Sequence, residues 1–250
     1  MRHQIGKDSI IFIVLPENWL LGLSIAIIFA IASYLSKKID FLGAITGGVI
    51  SFCLFLGSQW LGLLTLILLF ILVAIVTQWK IKEKQRLGLE QSNKGRRSSI
   101  NVLSNGSTAG LCGFFAWIFP DYQSLFELMM LASIASAASD TFSSELGNVY
   151  GRRYINILSL ERDQRGKDGV ISLEGSLAGL VGSCMVAIIY IAFQGWSVFI
   201  IYIIVCGMIG NLIDSLLGAS LQQNGVLDNH QVNLISTFSS SLWMALLLML

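Results

Sequence analysis

The chain has 250 residues, of which 54% are hydrophobic and 12% charged, and its 16 basic and 15 acidic side chains leave a net charge of +1. A soluble domain carries about 25% charged residues, whereas this chain has a mean hydropathy of +0.73. These values exclude an ordinary soluble domain and indicate an integral membrane protein. The near-neutral charge is uninformative about partners, and we expect no nucleic acid among them.

Apolar runs long enough to cross a bilayer recur along the chain. A helix needs about 20 predominantly apolar residues to cross a hydrocarbon core of about 30 Å. The runs are continuously apolar rather than alternating, which favours helices over a membrane barrel. They predict an all-α polytopic transmembrane bundle of about eight helices, forming a single integral membrane domain over residues 1–250. The predicted spans are Asn18–Ser36, Phe41–Ser58, Trp60–Trp79, Ile100–Phe119, Tyr122–Gly147, Gly169–Phe193, Ser197–Leu217 and Val232–Leu250.

The segment before the first span is apolar but short. It runs from Ile10 to Leu15, is followed by Pro16, and has no convincing small-residue cleavage site. We therefore expect it to lie at the membrane interface and to be retained. The absence of a transit-like extension argues against an unprocessed plastid precursor, so a prokaryotic cytoplasmic (inner) membrane is the expected location.

Basic residues concentrate in alternate connections between the spans. Positive residues in short loops favour the cytoplasm. We therefore expect these polar loops to be cytoplasmic and both termini to lie outside. The basic residues are Lys37 and Lys38; Lys80, Lys82, Lys84, Arg86, Lys94, Arg96 and Arg97; and Arg152, Arg153, Arg162, Arg165 and Lys167.

The fifth span carries a carboxylate among small and apolar residues, Asp140. An ionised carboxylate in hydrocarbon costs several kcal/mol unless it is paired, solvated or metal-bound, so its default interpretation is functional. Helical spacing places Ser143, Ser144 and Gly147 on the same stripe as Asp140. Glu145 lies about 140° round the helix from Asp140, so the two carboxylates need not share a ligand. Close helix packing accounts for the neighbouring small residues but not for Asp140.

The seventh span repeats this pattern around Asp214. Small residues recur at helical spacing around it, so that another helix backbone can approach this face closely. The positions on the face are Gly207, Gly210 or Asn211, Asp214 and Gly218. Packing of small residues alone is the simpler interpretation. A buried unpaired charge would be costly, so the addition of Asp214 favours a metal-binding or proton-linked role.

A basic, glycine-bearing stretch lies between these two spans. Arg152 and Arg153 begin it, and Lys167 and Gly169 precede the sequence from Ser172 to Gly175. Cationic side chains and glycine backbones suit phosphate oxygens, although charge alone favours contact with lipid headgroups or simple topology. Acidic helices change this preference, because carboxylates hold Mg²⁺ while cations neutralise transferring phosphates. With the expected topology, the acidic helix ends and Asn105 gather on the cytoplasmic side, which indicates a one-sided pocket rather than a channel.

Several motifs follow one another in order along the chain: Asn105-Gly106, Ser139 to Gly147, Lys167 to Gly175, Asp214 to Gln222 and Val232-Asn233. They resemble the multi-pass membrane family that contains plant phytyl-phosphate kinase, and the resemblance runs from about Lys37 to the C-terminal helix. A shorter and looser set of positions is similar to CTP-dependent dolichol and phytol kinases and to CDP-diacylglycerol synthase, although Ile171 replaces the lysine common in that group. These positions are Asp140, Gly147, Gly151, Arg152, Ser172, Glu174 and Gly175.

The resemblance implies a nucleotide-dependent isoprenyl-phosphate kinase. Such an enzyme transfers the terminal phosphoryl group of a nucleoside triphosphate, with CTP expected, to phytyl phosphate or a similar prenyl monophosphate at the cytoplasmic face. Asp140 and Asp214, helped by Glu145, would bind Mg²⁺. Arg152, Arg153 and Lys167 would contact phosphates, with Lys167 also among the catalytic residues, and Ser172, Glu174 and Gly175 would shape the nucleotide loop. Supporting positions are Asn105, Ser143, Ser144, Gln222 and Asn233.

Two other functions remain open on the sequence. A CTP-dependent CDP-lipid synthase would use a similar pocket and release diphosphate. A secondary transporter of an anionic lipid or solute would use Asp140 and Asp214 without consuming nucleotide. The sequence leaves the nucleotide donor, the chain length of the acceptor and the oligomeric state undetermined.

Overall fold

The computed structural model describes residues 15–89 and 97–250. The segment expected at the interface falls almost wholly outside these ranges, as do Lys94 and Arg96 of the first large basic loop. Within the described ranges the chain is a bundle of α-helices with one two-stranded sheet. The helices are α1 (Trp19–Leu35), α2 (Phe41–Gln78), α3 (Ile81–Arg86), α4 (Ser99–Ile118), α5 (Gln123–Tyr150), α6 (Leu173–Gln194), α7 (Phe199–Leu217) and α8 (Asn229–Met249).

Helix α2 is a helical hairpin rather than one straight rod. Gln59 interrupts it with φ 48° and ψ −126°, a backbone conformation outside the helical region. Gly47 and Ile50 from the first half line the same cavity as Leu69 and Val73 from the second half, so the chain doubles back at Gln59. The two halves, 41–58 and 60–78, correspond to the second and third predicted spans.

The eight predicted spans are therefore all helical, and the prediction of an all-α membrane bundle is confirmed. Among the described residues, α2 and α5 to α8 are long and apolar enough to cross a membrane, and α1 is a shorter apolar helix of 17 residues. The short helix α3 was not predicted. It is polar apart from Ile81 and lies just after the hairpin.

Helix α5 forms the centre of the bundle, and 67% of its most apolar 18-residue stretch is buried. Small residues allow this close packing. A Cβ on Gly182 of α6 would lie 2.8 Å from the carbonyl oxygen of Ala138, and a Cβ on Gly113 of α4 would lie 2.9 Å from the Cα of Leu54 in α2. These approaches leave no room for a larger residue, and they hold α6 against α5 and α4 against α2.

The connections that follow α1, α2, α5 and α7 lie at one end of the bundle, which we call the polar end. The Arg97 N–H donates to the carbonyl of Lys38 at 2.9 Å, and the Trp79 indole donates to the Tyr150 hydroxyl at 2.8 Å. At the opposite end the Gln123 amide donates to the carbonyl of Gly57 at 2.9 Å. The polar loops expected on one side of the membrane thus share one end of the molecule.

The connection between α5 and α6 is an ordered structure rather than a plain loop. Strands β1 (Ile155–Asn156) and β2 (Val170–Ile171) pair in antiparallel fashion. The prediction that the sixth helix begins at Gly169 is wrong, because Gly169 has φ +69°, β2 follows it, and Ser172 caps a helix that starts at Leu173. The predicted start of the last helix at Val232 is also late, since Asp228 caps α8 and accepts from the Gln231 N–H at 2.8 Å.

Candidate phosphate-handling site

A cavity of about 570 Å³ opens at the polar end of the bundle. Small-molecule sites commonly occupy about 300–1,000 Å³, so this volume suits a nucleotide-sized ligand. We call it the polar cavity. Its walls come from α4, α5, α7, α8 and the α5–α6 connection, and its lining includes Arg97, Asn101, Asn105, Asp140, Ser143, Ser144, Gly147, Tyr154, Lys167, Asp168, Ser172, Asn211, Asp214, Gln222 and Asn233.

The predicted stripe on α5 faces this cavity. Asp140, Ser143, Ser144 and Gly147 all line it, as their helical spacing requires. Asp214 enters from α7, and the two carboxylates lie close enough for their charges to interact. The Ser236 hydroxyl of α8 donates to Asp214 Oδ2 at 3.3 Å. Two helices packed against each other, α5 and α7, thus present acidic side chains to one space.

Neutral amides surround the two carboxylates. Asn211 precedes Asp214 on α7, while Asn105, Asn233 and Gln222 line the cavity from α4, α8 and the π-helical turn at Gly218–Gln222. The Asn105 amide nitrogen donates to the carbonyl of Asn101 at 3.0 Å, so its own oxygen remains an acceptor. Carboxylate and amide oxygens are the ligands that Mg²⁺ accepts in proteins.

This donor set fits a magnesium ion that is completed by a substrate. In the described ranges no three His, Cys, Asp or Glu side chains are grouped closely enough to form a metal site on their own. Mg²⁺ usually binds through one or two carboxylates together with substrate phosphates. Asp140 and Asp214 therefore match the protein's share of such a site.

Glu145, predicted to help hold the metal, lines the polar cavity but also has a partner within the protein. It is 5% exposed, and its Oε2 accepts from the ammonium of Lys84. Lys84 is 1% exposed and also donates to the carbonyls of Val76 and Thr77, at 3.2 and 2.7 Å. A cation suits the carbonyls at the end of α2. The pair therefore joins α2, α3 and α5 and neutralises the charge of Glu145.

The predicted phosphate-binding cations fall into two groups. Lys167 lines the polar cavity, and its ammonium lies 3.0 Å from Oδ2 of Asp163 in the same loop. This lysine and the Gln164 N–H lower the pKa of Asp163, with the backbone hydrogen bond as the larger cause. Arg152 and Arg153 are exposed and do not line the cavity. Their placement suits a ligand that extends out of the cavity or a lipid headgroup.

The Ser172 to Gly175 segment organises the start of α6. Ser172 lines the cavity and its hydroxyl accepts from the Gly175 N–H at 3.1 Å. Gly175 lies against α5, where an added Cβ would be 3.2 Å from the Cα of Gly147. Glu174 lies outside the cavity lining and accepts from the Arg152 N–H at 3.3 Å. Ser172 is thus the member of this segment that faces the polar cavity.

Several lining residues lie outside the predicted site, among them Arg97, Asp168, Asn211 and Tyr154. Arg97 was counted only as a loop charge, Asp168 was quoted only within a motif, Asn211 only as a packing residue, and Tyr154 not at all. Burial raises the pKa of Asp168, which a hydrogen bond from Gln222 partly offsets. Arg97 directly precedes Ser98, the cap of α4, and its guanidinium is close enough to interact with the charges of Glu145 and Asp140.

The arrangement can hold a polyanion beside two carboxylates. Lys167 and Arg97 supply positive charge, Asp140 and Asp214 supply metal ligands, and Ser143, Ser144 and Ser172 supply hydroxyl groups. Phosphoryl transfer needs positioning and charge neutralisation more than covalent chemistry. The cavity contains the groups that this reaction class uses.

Comparison with known proteins identifies relatives over most of the chain. The family described as Integral membrane protein DUF92 matches residues 24–241. An uncharacterized membrane protein of Methanocaldococcus jannaschii is 34% identical over 224 residues, covering 87% of this chain and 90% of the relative. An uncharacterized membrane protein of Synechocystis sp. is 33% identical over 186 residues, covering 72% and 70%. Protein VTE6, chloroplastic, of Arabidopsis thaliana is 31% identical over 184 residues, covering 70% of this chain and 55% of the relative. No solved structure matches the chain significantly.

Proposed function

Because the chain belongs to the integral membrane protein family DUF92, we propose that this multi-pass membrane protein is a phosphotransferase for isoprenyl monophosphates. The observation that carries the proposal is the polar cavity, in which Asp140 and Asp214 lie with Lys167 and Arg97 at one end of an apolar bundle. The resemblance of its motifs to the family with plant phytyl-phosphate kinase supports the acceptor class. An enzyme at this position meets a water-soluble nucleotide and a membrane lipid at the same boundary.

The reaction transfers the terminal phosphoryl group of a nucleoside triphosphate, with CTP as the expected donor. The bond from the terminal phosphorus to the bridging oxygen breaks, and a bond to an oxygen of the lipid monophosphate forms. The products are a nucleoside diphosphate and a lipid diphosphate. The acceptor phosphate is already anionic near neutral pH, so no side chain is required to remove a proton.

Each group in the cavity then has a role that matches its chemistry. Asp140 and Asp214 would hold Mg²⁺, which when bound would neutralise charge on the nucleotide phosphates. Lys167 and Arg97 would orient anionic oxygens, and Ser172 would position the α5–α6 connection around the nucleotide. The Lys84–Glu145 pair would keep α5 in register with the α2 hairpin.

Product analysis with purified protein tests this proposal. The folded protein in detergent would be incubated with Mg²⁺, phytyl or geranylgeranyl monophosphate and each nucleoside triphosphate in turn, and lipids would be followed by mass spectrometry. We expect a lipid diphosphate from one donor and none from an Asp140→Asn variant. A CDP-lipid would identify a synthase instead, while binding of lipid phosphate without nucleotide consumption would favour a transporter.

A further inference from the structure

A second, apolar cavity adjoins the polar cavity inside the bundle. It encloses about 110 Å³ between α1, both halves of α2, α4 and α5, and we call it the apolar cavity. Most of its lining is aliphatic or aromatic, including Phe29, Ile50, Leu69 and Ala137. The hydroxyl of Ser51, one of its few polar groups, donates to the carbonyl of Gly47 at 2.6 Å and so needs no ligand.

The two cavities meet along a short polar seam. Arg97, Asn101, Asn105 and Thr141 line both of them. Thr141 follows Asp140 on α5 and donates its hydroxyl to the carbonyl of Ala137 at 2.9 Å. Arg97 therefore supplies the positive charge at the place where an apolar space opens onto the acidic site.

The backbone holds Arg97 firmly at this seam. Its N–H donates to the carbonyl of Lys38 at 2.9 Å, and its carbonyl accepts from the Asp40 N–H at 3.0 Å. These bonds tie the residue before α4 to the connection between α1 and α2. A guanidinium carries a permanent charge and a planar set of donors that matches phosphate oxygens.

The volume of the apolar cavity limits what it can hold. An apolar cavity of about 150 Å³ binds benzene, which has six carbons. A space of about 110 Å³ therefore has room for roughly four to five carbons, close to the size of one branched isoprene unit. Any longer chain must continue beyond the cavity into the bilayer.

We propose that the apolar cavity binds the isoprene unit next to the acceptor phosphate and that Arg97 binds that phosphate at the seam. This inference rests on the proposed function for its acceptor class. The acceptor would then bind on the side of Asp140 that is formed by α1, α2 and α4. The nucleotide would bind beside the α5–α6 connection. The protein then recognises the phosphate and the first isoprene unit, and tolerates different lengths in the remainder of the chain.

Competition for a labelled lipid tests which part of the acceptor is recognised. The probe is photoreactive geranylgeranyl monophosphate, bound to the full chain in nanodiscs without nucleotide, so the result does not depend on phosphoryl transfer. We expect dimethylallyl monophosphate to reduce labelling at concentrations where inorganic phosphate does not. Equal competition by inorganic phosphate, or no specific labelling of the folded protein, would overturn the proposal.

Two variants with matched controls test the location. A Cβ on Gly47 would lie 3.8 Å from Val102 Cγ1 and one on Gly48 would lie 3.6 Å from Ala30 Cβ, so both residues accept a methyl group at ordinary contact distances. Gly47 lines the apolar cavity, whereas Gly48 lines an outer groove between α1 and α2. Gly47→Ala should weaken binding roughly fourfold, the effect of one excluded methylene, and Gly48→Ala should not.

The charge at the seam is tested in the same assay. Arg97→Gln should weaken binding of the probe by roughly tenfold or more, as expected for lost hydrogen bonds to a charged group. The control Arg86→Gln changes an exposed side chain of α3 and should have no effect. Wild-type binding by Gly47→Ala and Arg97→Gln would overturn the inference, as would a loss caused by Gly48→Ala alone. Normal binding of the probe without phosphoryl transfer from any nucleotide would instead overturn the proposed function and leave this inference standing.

Discussion

Asp140 and Asp214 are both half-buried and place two negative charges on the polar cavity, where they interact with each other. Like charges in a low-dielectric setting repel, so this placement lowers stability unless a cation lies between them. Asp140 also lies close enough to the Arg97 guanidinium for their charges to attract. Natural proteins retain repelling groups where activity requires them, so removing the Asp214 charge should lower activity without lowering stability.

We expect Asp140→Asn and Asp214→Asn each to reduce phosphoryl transfer by at least about 100-fold, the scale of a lost electrostatic contact at a reacting centre. Because Asp214→Asn removes one of two repelling charges, the Tm of that variant should stay the same or rise. Asp121→Asn, on an exposed turn at the opposite end, is the matched control for both measurements. A fall in Tm that parallels the loss of activity would indicate a structural role instead.

The Lys84–Glu145 pair should matter for stability rather than for binding. Lys84→Met leaves Glu145 buried without its partner, and breaking a buried pair in this way costs about 3–5 kcal/mol. Thermal melting in detergent should show a large drop for Lys84→Met and little change for Lys82→Met, whose side chain is exposed.

A double variant separates the pair from its parts. Adding Glu145→Gln to Lys84→Met should recover part of the lost Tm, because no unpaired charge then remains. Additive losses in the double variant would show that the two side chains act independently.

At the scale of elements, the α5–α6 connection is held against the end of α7 by Gly169. It has φ +69°, and an added Cβ would overlap the backbone of Ala219 in the π-helical turn. The neighbouring Asp168 carbonyl accepts from the Gln223 amide. This contact fixes Lys167 and Asp168 at the edge of the polar cavity.

Gly169→Ala should separate the connection from α7 and lower phosphoryl transfer by roughly tenfold or more, the penalty for misplacing groups that position a substrate. Gly195→Ala is a control for backbone strain alone, because Gly195 has φ +78° and no atom within 4 Å of an added Cβ. Its expected effect is a loss of about 1–3 kcal/mol in stability with unchanged activity per folded molecule. Equal activity losses in the two variants would contradict this role for Gly169.

The helices could be predicted from the sequence because continuous apolar runs determine them, and the gap between the second and third spans falls on Gln59, where the hairpin turns. Helical spacing also predicted correctly that Asp140, Ser143, Ser144 and Gly147 share one face of α5. The β1–β2 pair, the Lys84–Glu145 pair and the role of Arg97 could not be predicted. They depend on contacts between residues far apart in sequence, such as positions 84 and 145, and a list of loop charges does not show which charge turns inward.

At the scale of the whole molecule, the polar end carries the site and the basic loops together. The positive-inside tendency predicts that this end faces the cytoplasm. A soluble nucleotide donor would reach the polar cavity only from that side. The orientation of the bundle in the membrane is therefore a condition of the proposed function.

Cysteine labelling in intact cells tests this orientation. In a variant without the native Cys53, Cys112, Cys184 and Cys206, Ser159→Cys marks the polar end and Asp121→Cys marks the opposite end. We expect a membrane-impermeant maleimide to label position 121 in intact cells and position 159 only after the cells are opened. The reverse pattern would place the polar cavity outside the cytoplasm.

The proposed kinase reaction is tested most directly by asking which phosphate of the nucleotide is transferred to the lipid. Purified protein with Mg²⁺ and geranylgeranyl monophosphate would receive CTP or ATP labelled at either the α or the γ phosphate. We predict that only the γ label enters the lipid and that one nucleoside diphosphate is released for each lipid diphosphate formed. Entry of the α label, or no labelled lipid from a folded protein that is active for transport, would contradict this prediction.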